Sequence, residues 1–162
     1  MKSFKKMSIL SILTMVLSLI GLFVSAYLFN AHNHLGEAIC NFNSVFSCNS
    51  VDQSVYSMLF GIPVSLLGII FYLFVIIGLF KRIYLKKLIT RFVSLKTYDF
   101  SLLGLLIFGV LFGVYLTLIE AFVIKAYCIY CLISFGITIL LVVLFYYEMK
   151  TTIYDKKRKK RK

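Results

Sequence analysis

Long apolar runs separated by polar segments dominate the pattern of this chain. The four runs cover about Met7–Phe29, Met58–Phe80, Phe100–Val123 and Cys128–Tyr147. Each has about twenty residues or slightly more, which is the length that a helix needs to cross roughly 30 Å of hydrocarbon. Because lipid offers no hydrogen bonds, a spanning segment must satisfy its own backbone, and a helix does so. The pattern therefore predicts an all-α integral membrane protein, a four-helix transmembrane bundle.

The polar segments between the runs predict how these helices connect. Residues 30–57 form the largest polar loop, which carries Cys40 and Cys48. The third and fourth runs are joined by only a few residues around 124–127. Such a short connection makes two helices an antiparallel hairpin. It also places Cys128 at the membrane surface, on the same side as the long loop.

The positions of the basic residues predict which side each segment faces. The chain has 162 residues, of which 61% are hydrophobic, and a formal net charge of +12. Of its 18 Lys and Arg residues, all but Lys125 precede the first run, lie between the second and third, or follow the fourth. This is the positive-inside pattern. We therefore expect a cell-membrane protein with both termini in the cytoplasm and residues 31–57 outside.

The same composition bounds the domain organisation. No linker, repeat or soluble domain is visible, so we expect one membrane domain over residues 1–150 and a basic cytoplasmic tail over residues 151–162. The tail suits anionic lipid headgroups better than nucleic acid. The first run mimics a secretory signal with a cleavage site at Val24-Ser25-Ala26, but it is long for one, and we expect it to be retained.

Four cysteines supply the candidate chemistry. Cys128 and Cys131, the membrane pair, open the fourth span one helical turn apart. A helix N-terminus and a C-x-x-C spacing both stabilise a thiolate at the first cysteine. Cys40 and Cys48, the loop pair, can meet both an aqueous partner and the membrane pair, as thiol–disulfide exchange requires. The pattern suggests electrons passed from one pair to the other.

Other interpretations of these residues stay open. In an oxidising compartment the loop pair could be a structural disulfide and the membrane pair two inert buried thiols. The loop pair could also bind zinc with His32 and His34, although the spacing does not match common zinc motifs, and we expect no metal. Glu120, near the outer end of the third span, is expected to reach the interface or to pair with Lys125 rather than to relay protons.

Taken together, the cysteine motifs resemble those of the vitamin K epoxide reductase (VKOR) family. The resemblance covers essentially the whole chain. The motifs that carry it are, in chain order, Cys40-x7-Cys48, Ser54, Phe60-Gly61-Ile62-Pro63 and Cys128-x-x-Cys131. Disulfide oxidases of the DsbB type also have four spans and two cysteine pairs, but their C-x-x-C lies in the first external loop. The order here favours the VKOR family.

The resemblance implies a membrane thiol oxidoreductase that generates disulfides. Cys40 would exchange with the thiols of a separate extracytoplasmic thioredoxin-fold (DsbA-like) protein. Cys48 would pass electrons inward through a transient disulfide with Cys128. Cys131 would deliver them to a membrane quinone, menaquinone or ubiquinone, as electron acceptor. Ser54 is similar to the family residue that supports the loop near the active site, although it could equally be a loop or helix cap.

A planar quinone ring needs an apolar site near Cys131. Phe60, Tyr127, Tyr130 and Phe135 are the aromatic candidates for it. Phe135 stands where the vertebrate enzymes of the family carry a tyrosine, so a hydroxyl that would bond a quinone or epoxide oxygen is missing.

Two further functions remain as alternatives. One is a structural or transport membrane protein with a stapled outer loop, and the other is a reductase of vitamin K epoxide or quinone. The basic tail stands where many bacterial relatives continue into a fused thioredoxin-like domain. For that reason we expect the thiol partner to be a separate protein.

Overall fold

The computed structural model describes residues 2–33, 48–52, 54–59, 61–88 and 95–160. In this part of the chain the helices are α1 (Lys2–Asn33), α2 (Cys48–Asp52), α3 (Val64–Leu88), α4 (Leu95–Ile119) and α5 (Ile129–Lys160). A 3₁₀ turn at Val55–Ser57 and two short strands, β1 (Met58–Leu59) and β2 (Ile62–Pro63), lie between α2 and α3. A π-helical turn at Glu120–Ile124 extends α4.

Four helices are long and apolar enough to cross a membrane, and the protein is a multi-pass membrane protein. The apolar segments are Ile9–Asn33, Val64–Arg82, Thr97–Ile124 and Ile129–Thr152. They lie in α1, α3, α4 and α5, which confirms the predicted four-helix transmembrane bundle. Three of them begin within a few residues of the predicted start. The extent of an apolar run is enough to locate a membrane-spanning helix.

The second span begins later than predicted. Met58 and Leu59 pair with Pro63 and Ile62 in an antiparallel hairpin instead of opening a helix. Gly61, in the connecting turn, has a φ of 79°, which a residue without Cβ adopts freely. Because proline lacks a backbone N–H, it is readily accommodated where a helix is about to start. The prediction of a span from Met58 was therefore wrong, and α3 starts directly after the hairpin.

Small residues allow the helices to approach closely. α1 packs against α3 and α5, and α4 packs against α5. A Cβ placed on Gly68 of α3 would lie 2.8 Å from the hydroxyl oxygen of Ser25 on α1. Gly109 and Gly113, four residues apart on α4, lie directly against the rings of Phe71 and Phe135 respectively. This GxxxG spacing is one of the ways in which membrane helices bring their backbones together.

A buried ionic cluster closes the end of the bundle away from the cysteines. Arg82 of α3 donates from Nε to Asp99 of α4 at 2.7 Å and from Nη1 to Glu148 of α5. Ser11 of α1 donates to the same Glu148 oxygen at 2.5 Å. The guanidinium also lies 4.9 Å from the ring centre of Phe145. Sequence reasoning placed Arg82 among the loop charges, and it is instead only 4% exposed and joined to other helices.

Candidate active site

The membrane pair lies at the N-terminus of α5. The helix begins at Ile129, so Cys128 is its N-cap residue and Cys131 lies in its first turn. The backbone N–H of Cys131 donates to the sulfur of Cys128, with 3.3 Å between nitrogen and sulfur. This is the usual N-cap hydrogen bond with sulfur in place of oxygen.

Cys48 lies against the membrane pair. It begins α2, is 1% exposed, and forms one buried cluster with Cys128, which is 2% exposed. Leu28 and Ala31 of α1 pack against this cluster and enclose it. Cys48 is disulfide-bonded, whereas Cys128 and Cys131 are free thiols. α2 therefore packs its cysteine directly against the N-cap residue of α5.

Glu120 lies inside the site and not at the interface. It is 4% exposed, and its Oε2 accepts the N–H of Cys128 at 3.2 Å. Its carboxyl group also interacts with the thiol of Cys131. Lys125 is exposed and has a left-handed φ of 57° at the end of the π-helical turn. The expectation that Glu120 reaches the interface or pairs with Lys125 was wrong, because the π-helical turn directs the carboxylate toward α5.

A cavity of about 440 Å³ begins at these residues and continues into the bundle. Cys48, Glu120, Cys128 and Cys131 contribute to its lining. Phenylalanines and aliphatic side chains of α3 and α4 make most of the remaining wall, with a few hydroxyl groups among them. Known small-molecule sites span roughly 300–1,000 Å³ and are mostly apolar with few polar groups. The cavity therefore has the size and the character of a site for a small apolar molecule.

The comparison with known families decides what this arrangement is. The model of the vitamin K epoxide reductase family matches residues 12–146, which include most or all of each membrane span and every cysteine. The chain belongs to the vitamin K epoxide reductase family. It is therefore a membrane oxidoreductase. No curated protein matches it.

Of the residues predicted to bind a quinone ring, some line the cavity of this VKOR-family protein and others do not. Cys131 and Phe135 line the cavity. Tyr127 and Tyr130 are not among the described residues that line it. The ring of Tyr130 instead pairs with that of Tyr27, with 5.0 Å between centroids, and packs against the buried cysteines.

Two predicted site residues, Cys40 and Phe60, lie outside the described part of the chain. Among the described residues, no group of three or more His, Cys, Asp or Glu side chains is placed to hold a metal ion.

Ser54 lies where the 3₁₀ turn follows α2. Its hydroxyl donates to the carbonyl of Val51 at 2.7 Å, and its own carbonyl accepts the N–H and the hydroxyl of Ser57. Ser54 also lines the cavity. The hydroxyl thus ties the segment that carries Cys48 to the segment that leads into α3. Ser54 stands at the N-cap position of the 3₁₀ turn, but its side chain makes no capping hydrogen bond there, and its support of the site stays a prediction.

Sequence reasoning missed several polar groups of the VKOR-family cavity. The Tyr72 hydroxyl of α3 bonds Ser134 and Thr138 of α5 at 2.9 to 3.2 Å. The hydroxyl of Ser65 lines the cavity, and the described residues offer it no hydrogen-bond partner. Glu120 had a sequence signal, since an acidic residue within a membrane span is by default a functional candidate. The hydroxyl residues had none, because single Ser and Thr residues are common in membrane helices.

Proposed function

We propose that this VKOR-family protein oxidises the thiols of an extracytoplasmic thioredoxin-fold protein and passes the electrons to a membrane quinone. One observation carries the proposal. Cys48 packs against Cys128 while the neighbouring thiol, Cys131, lines an apolar cavity. An electron relay needs one sulfur that exchanges with the electron donor and a second sulfur that contacts the acceptor. In the membrane pair, Cys128 is placed for the first role and Cys131 for the second.

The relay consists of two thiol–disulfide exchanges and one two-electron transfer. The partner's dithiol reduces the loop pair through a mixed disulfide with Cys40. The Cys48 thiolate then attacks Cys128, the bond between Cys128 and Cys131 breaks, and Cys131 leaves with the electron pair. The thiol of Cys40 next displaces Cys128 from Cys48. Finally, the membrane thiols give two electrons and two protons to the quinone and become a disulfide again.

The redox state of the described cysteines corresponds to one stage of this cycle. Cys48 is oxidised while Cys128 and Cys131 are reduced. In the proposed sequence this state follows the inward transfer and precedes the transfer to quinone. The capping bond from the Cys131 N–H holds the Cys128 sulfur at the start of α5, where this sulfur must be attacked and leave in turn.

The cavity offers a quinone both an entrance and a polar contact. Ile70 and Phe74 of α3 and Phe108 of α4 line the cavity and are each more than 40% exposed on the bundle surface. An isoprenoid quinone would enter from lipid between these two helices. The Ser65 hydroxyl can donate to a ring carbonyl, and this would replace the hydroxyl that is missing at Phe135. The quinone itself supplies the two-electron chemistry.

The proposal is tested by anaerobic mixing of the purified protein with ubiquinone or menaquinone analogues and a thiol reductant, with quinone absorbance as the readout. Two reductants are compared in separate reactions: a reduced thioredoxin-fold protein and a small membrane-permeant dithiol. Wild type should reduce quinone with both. Cys131→Ser should reduce none with either, whereas Cys48→Ser should lose turnover with the protein and keep some with the small dithiol.

Two results would count against the proposal. Quinone reduction that persists in Cys131→Ser would remove the membrane pair from the path. If Cys48→Ser lost quinone reduction with the small dithiol as completely as Cys131→Ser does, the proposed order of the two pairs would be contradicted. A parallel reaction with vitamin K epoxide in place of quinone distinguishes an epoxide reductase from a quinone reductase, since only the former would consume the epoxide. A stapled structural protein would reduce neither compound.

A further inference from the structure

We propose that Glu120 is a catalytic residue of this site, the group that gives a proton to Cys131 when the membrane disulfide opens and takes it back when Cys131 is oxidised. The inference rests on the proposed function, because it assigns a role within the same cycle. It concerns a residue that neither the cysteine motifs nor the family match points to.

The position of Glu120 places its carboxyl group at the reacting atoms. Oε2 is fixed by the Cys128 N–H at 3.2 Å, and the carboxyl group interacts with the Cys131 thiol. The side chain is 4% exposed and lines the cavity. A π-helical turn begins at Glu120, and such turns occur frequently at functional sites. One carboxyl group therefore bonds the backbone of Cys128 and lies beside the Cys131 thiol.

Among the residues that the structure describes, Glu120 has no ion pair. The ion pairs of the described residues join Arg82 to Asp99 and Glu148 at the far end of the bundle. Within the described part of the chain, the titratable groups that act on Glu120 are Cys128, at the N-cap of α5, and Cys131, in its first turn. An ionised carboxylate buried without a cation is costly. Two anions side by side in a dry site are costlier still, so the carboxyl group and the Cys131 thiol hold one proton between them.

When the membrane disulfide opens, this shared proton prevents a thiolate charge in the cavity. The bond between Cys48 and Cys128 forms, the bond between Cys128 and Cys131 breaks, and Cys131 takes the electron pair. The Glu120 carboxyl group protonates Cys131 and becomes a carboxylate. The proton that Cys48 lost in becoming a thiolate goes to the outer aqueous phase.

When the membrane thiols are oxidised, Glu120 works in the opposite direction. It takes the proton of Cys131 as that sulfur gives up electrons, and it passes this proton to an oxygen of the quinone. The proton of the Cys128 thiol goes to the other oxygen, and the disulfide between Cys128 and Cys131 forms. A proton from the outer aqueous phase then restores the carboxyl group. Two electrons and two protons have moved from thiols to quinone, and the balance closes.

The test uses two substitutions that separate proton transfer from structure. Glu120→Gln keeps an amide oxygen that can accept the Cys128 N–H, but it cannot carry a proton. Glu120→Asp keeps a proton-carrying group on a shorter side chain. Pre-reduced protein is mixed anaerobically with a quinone analogue, and the single-turnover rate is followed over a series of pH values. A thermal unfolding curve of each variant checks that it is folded.

We expect Glu120→Gln to lower the single-turnover rate by about 10²-fold or more, the usual size of a general acid–base contribution. Its remaining rate should rise in proportion to hydroxide, because water must now take the thiol proton. Glu120→Asp should recover a measurable part of the rate. A folded Glu120→Gln protein with the wild-type rate and the wild-type pH profile would overturn the proposal.

A second readout does not depend on quinone. In the Cys128→Ser background, alkylation of Cys131 by iodoacetamide is measured against pH, with and without Glu120→Gln. Two coupled groups should give a two-step profile that collapses to one step in the Gln variant. Identical profiles would refute the shared proton. If wild type fails to reduce quinone but the alkylation profiles differ, the proposed function fails and the Glu120–Cys131 coupling stands.

Discussion

At the scale of single residues, the two thiols of one C-x-x-C motif have different neighbours. The sulfur of Cys128 accepts the N-cap bond of α5, whereas the thiol of Cys131 interacts with the Glu120 carboxyl group; both residues line the cavity and pack in the cluster that holds Cys48. The division of labour between the cysteine that exchanges and the cysteine that meets the acceptor therefore follows from position in the helix.

Ser65 gives a prediction for quinone affinity. Its buried hydroxyl has no partner among the described residues, and a quinone carbonyl would supply one. Ser65→Ala should raise KM for the quinone analogue about 3- to 10-fold, the worth of one neutral hydrogen bond, with little change in kcat. Steady-state quinone reduction measures both constants. The matched control is Thr117→Val, whose hydroxyl lines the same cavity but already donates to the Gly113 carbonyl at 2.9 Å. Equal KM changes in the two variants would exclude a specific contact from Ser65.

Sequence reasoning about single residues succeeded where spacing alone carries the information. The C-x-x-C spacing and the short turn before it placed Cys128 at a helix start, as the structure shows. It failed for Glu120, because hydropathy places a carboxylate near a membrane surface but does not tell which way a π-helical turn directs it. The aromatic candidates for ring binding also differ in a way that hydropathy does not show, because it does not tell which face of a helix lines a cavity. Phe135 and Tyr130 both lie on α5, but only Phe135 is on the face that lines the cavity.

At the scale of helices, the glycines of α4 shape the cavity. The ring of Phe135 lies against Gly113, so a methyl group there must displace it. Gly113→Ala should therefore raise KM for quinone several-fold and lower the thermal midpoint, with an overpacking cost of about 1–3 kcal/mol. Gly104→Ala on the same helix is the control, since nothing lies within 4 Å of a Cβ at that position. Quinone kinetics that stay unchanged in Gly113→Ala would show that this contact does not shape the site.

The ionic cluster gives a prediction for stability. Arg82→Gln removes the cation from Asp99 and Glu148, which are 5% and 1% exposed. Breaking a buried pair from one side costs about 3–5 kcal/mol. The thermal midpoint in detergent should fall markedly, whereas Lys81→Gln, the exposed neighbouring cation, should change stability by less than about 0.5 kcal/mol. Equal midpoints for the two variants would show that the cluster does not hold the helices together.

The helices themselves were largely predictable, and the hairpin before α3 was not. Apolar length located the four spans because the membrane sets a minimum length for each. Residues 58–63 are apolar enough to read as the start of a helix, but Gly61 takes a positive φ and Pro63 cannot donate to a preceding turn. Partners between helices, such as Arg82 with Asp99, were also hidden, because a hydropathy pattern does not show which faces meet.

At the scale of the whole molecule, the bundle has a thiol end and an ionic end. α1 and α4 finish, and α3 and α5 begin, at the end that holds Cys48 and Cys128. The distribution of basic residues predicts that this end faces the extracytoplasmic side. In intact cells under reducing conditions, a membrane-impermeant thiol reagent should label Cys40 but not a cysteine added after Lys162. Labelling of the added cysteine would contradict this orientation and the use of an extracytoplasmic partner.

The central claim is that electrons pass between Cys48 and Cys128, and trapping that bond tests it most directly. The Cys40→Ser, Cys131→Ser double variant leaves only these two thiols. A disulfide needs Cα atoms about 4.4–6.8 Å apart, and Cys48 and Cys128 already pack together in one buried cluster. Under oxidant, mass spectrometry should find one intramolecular cross-linked peptide pair that contains both residues. A double variant that stays fully reduced under oxidant, with both thiols open to alkylation, would contradict the relay and leave Cys48 as part of a structural disulfide.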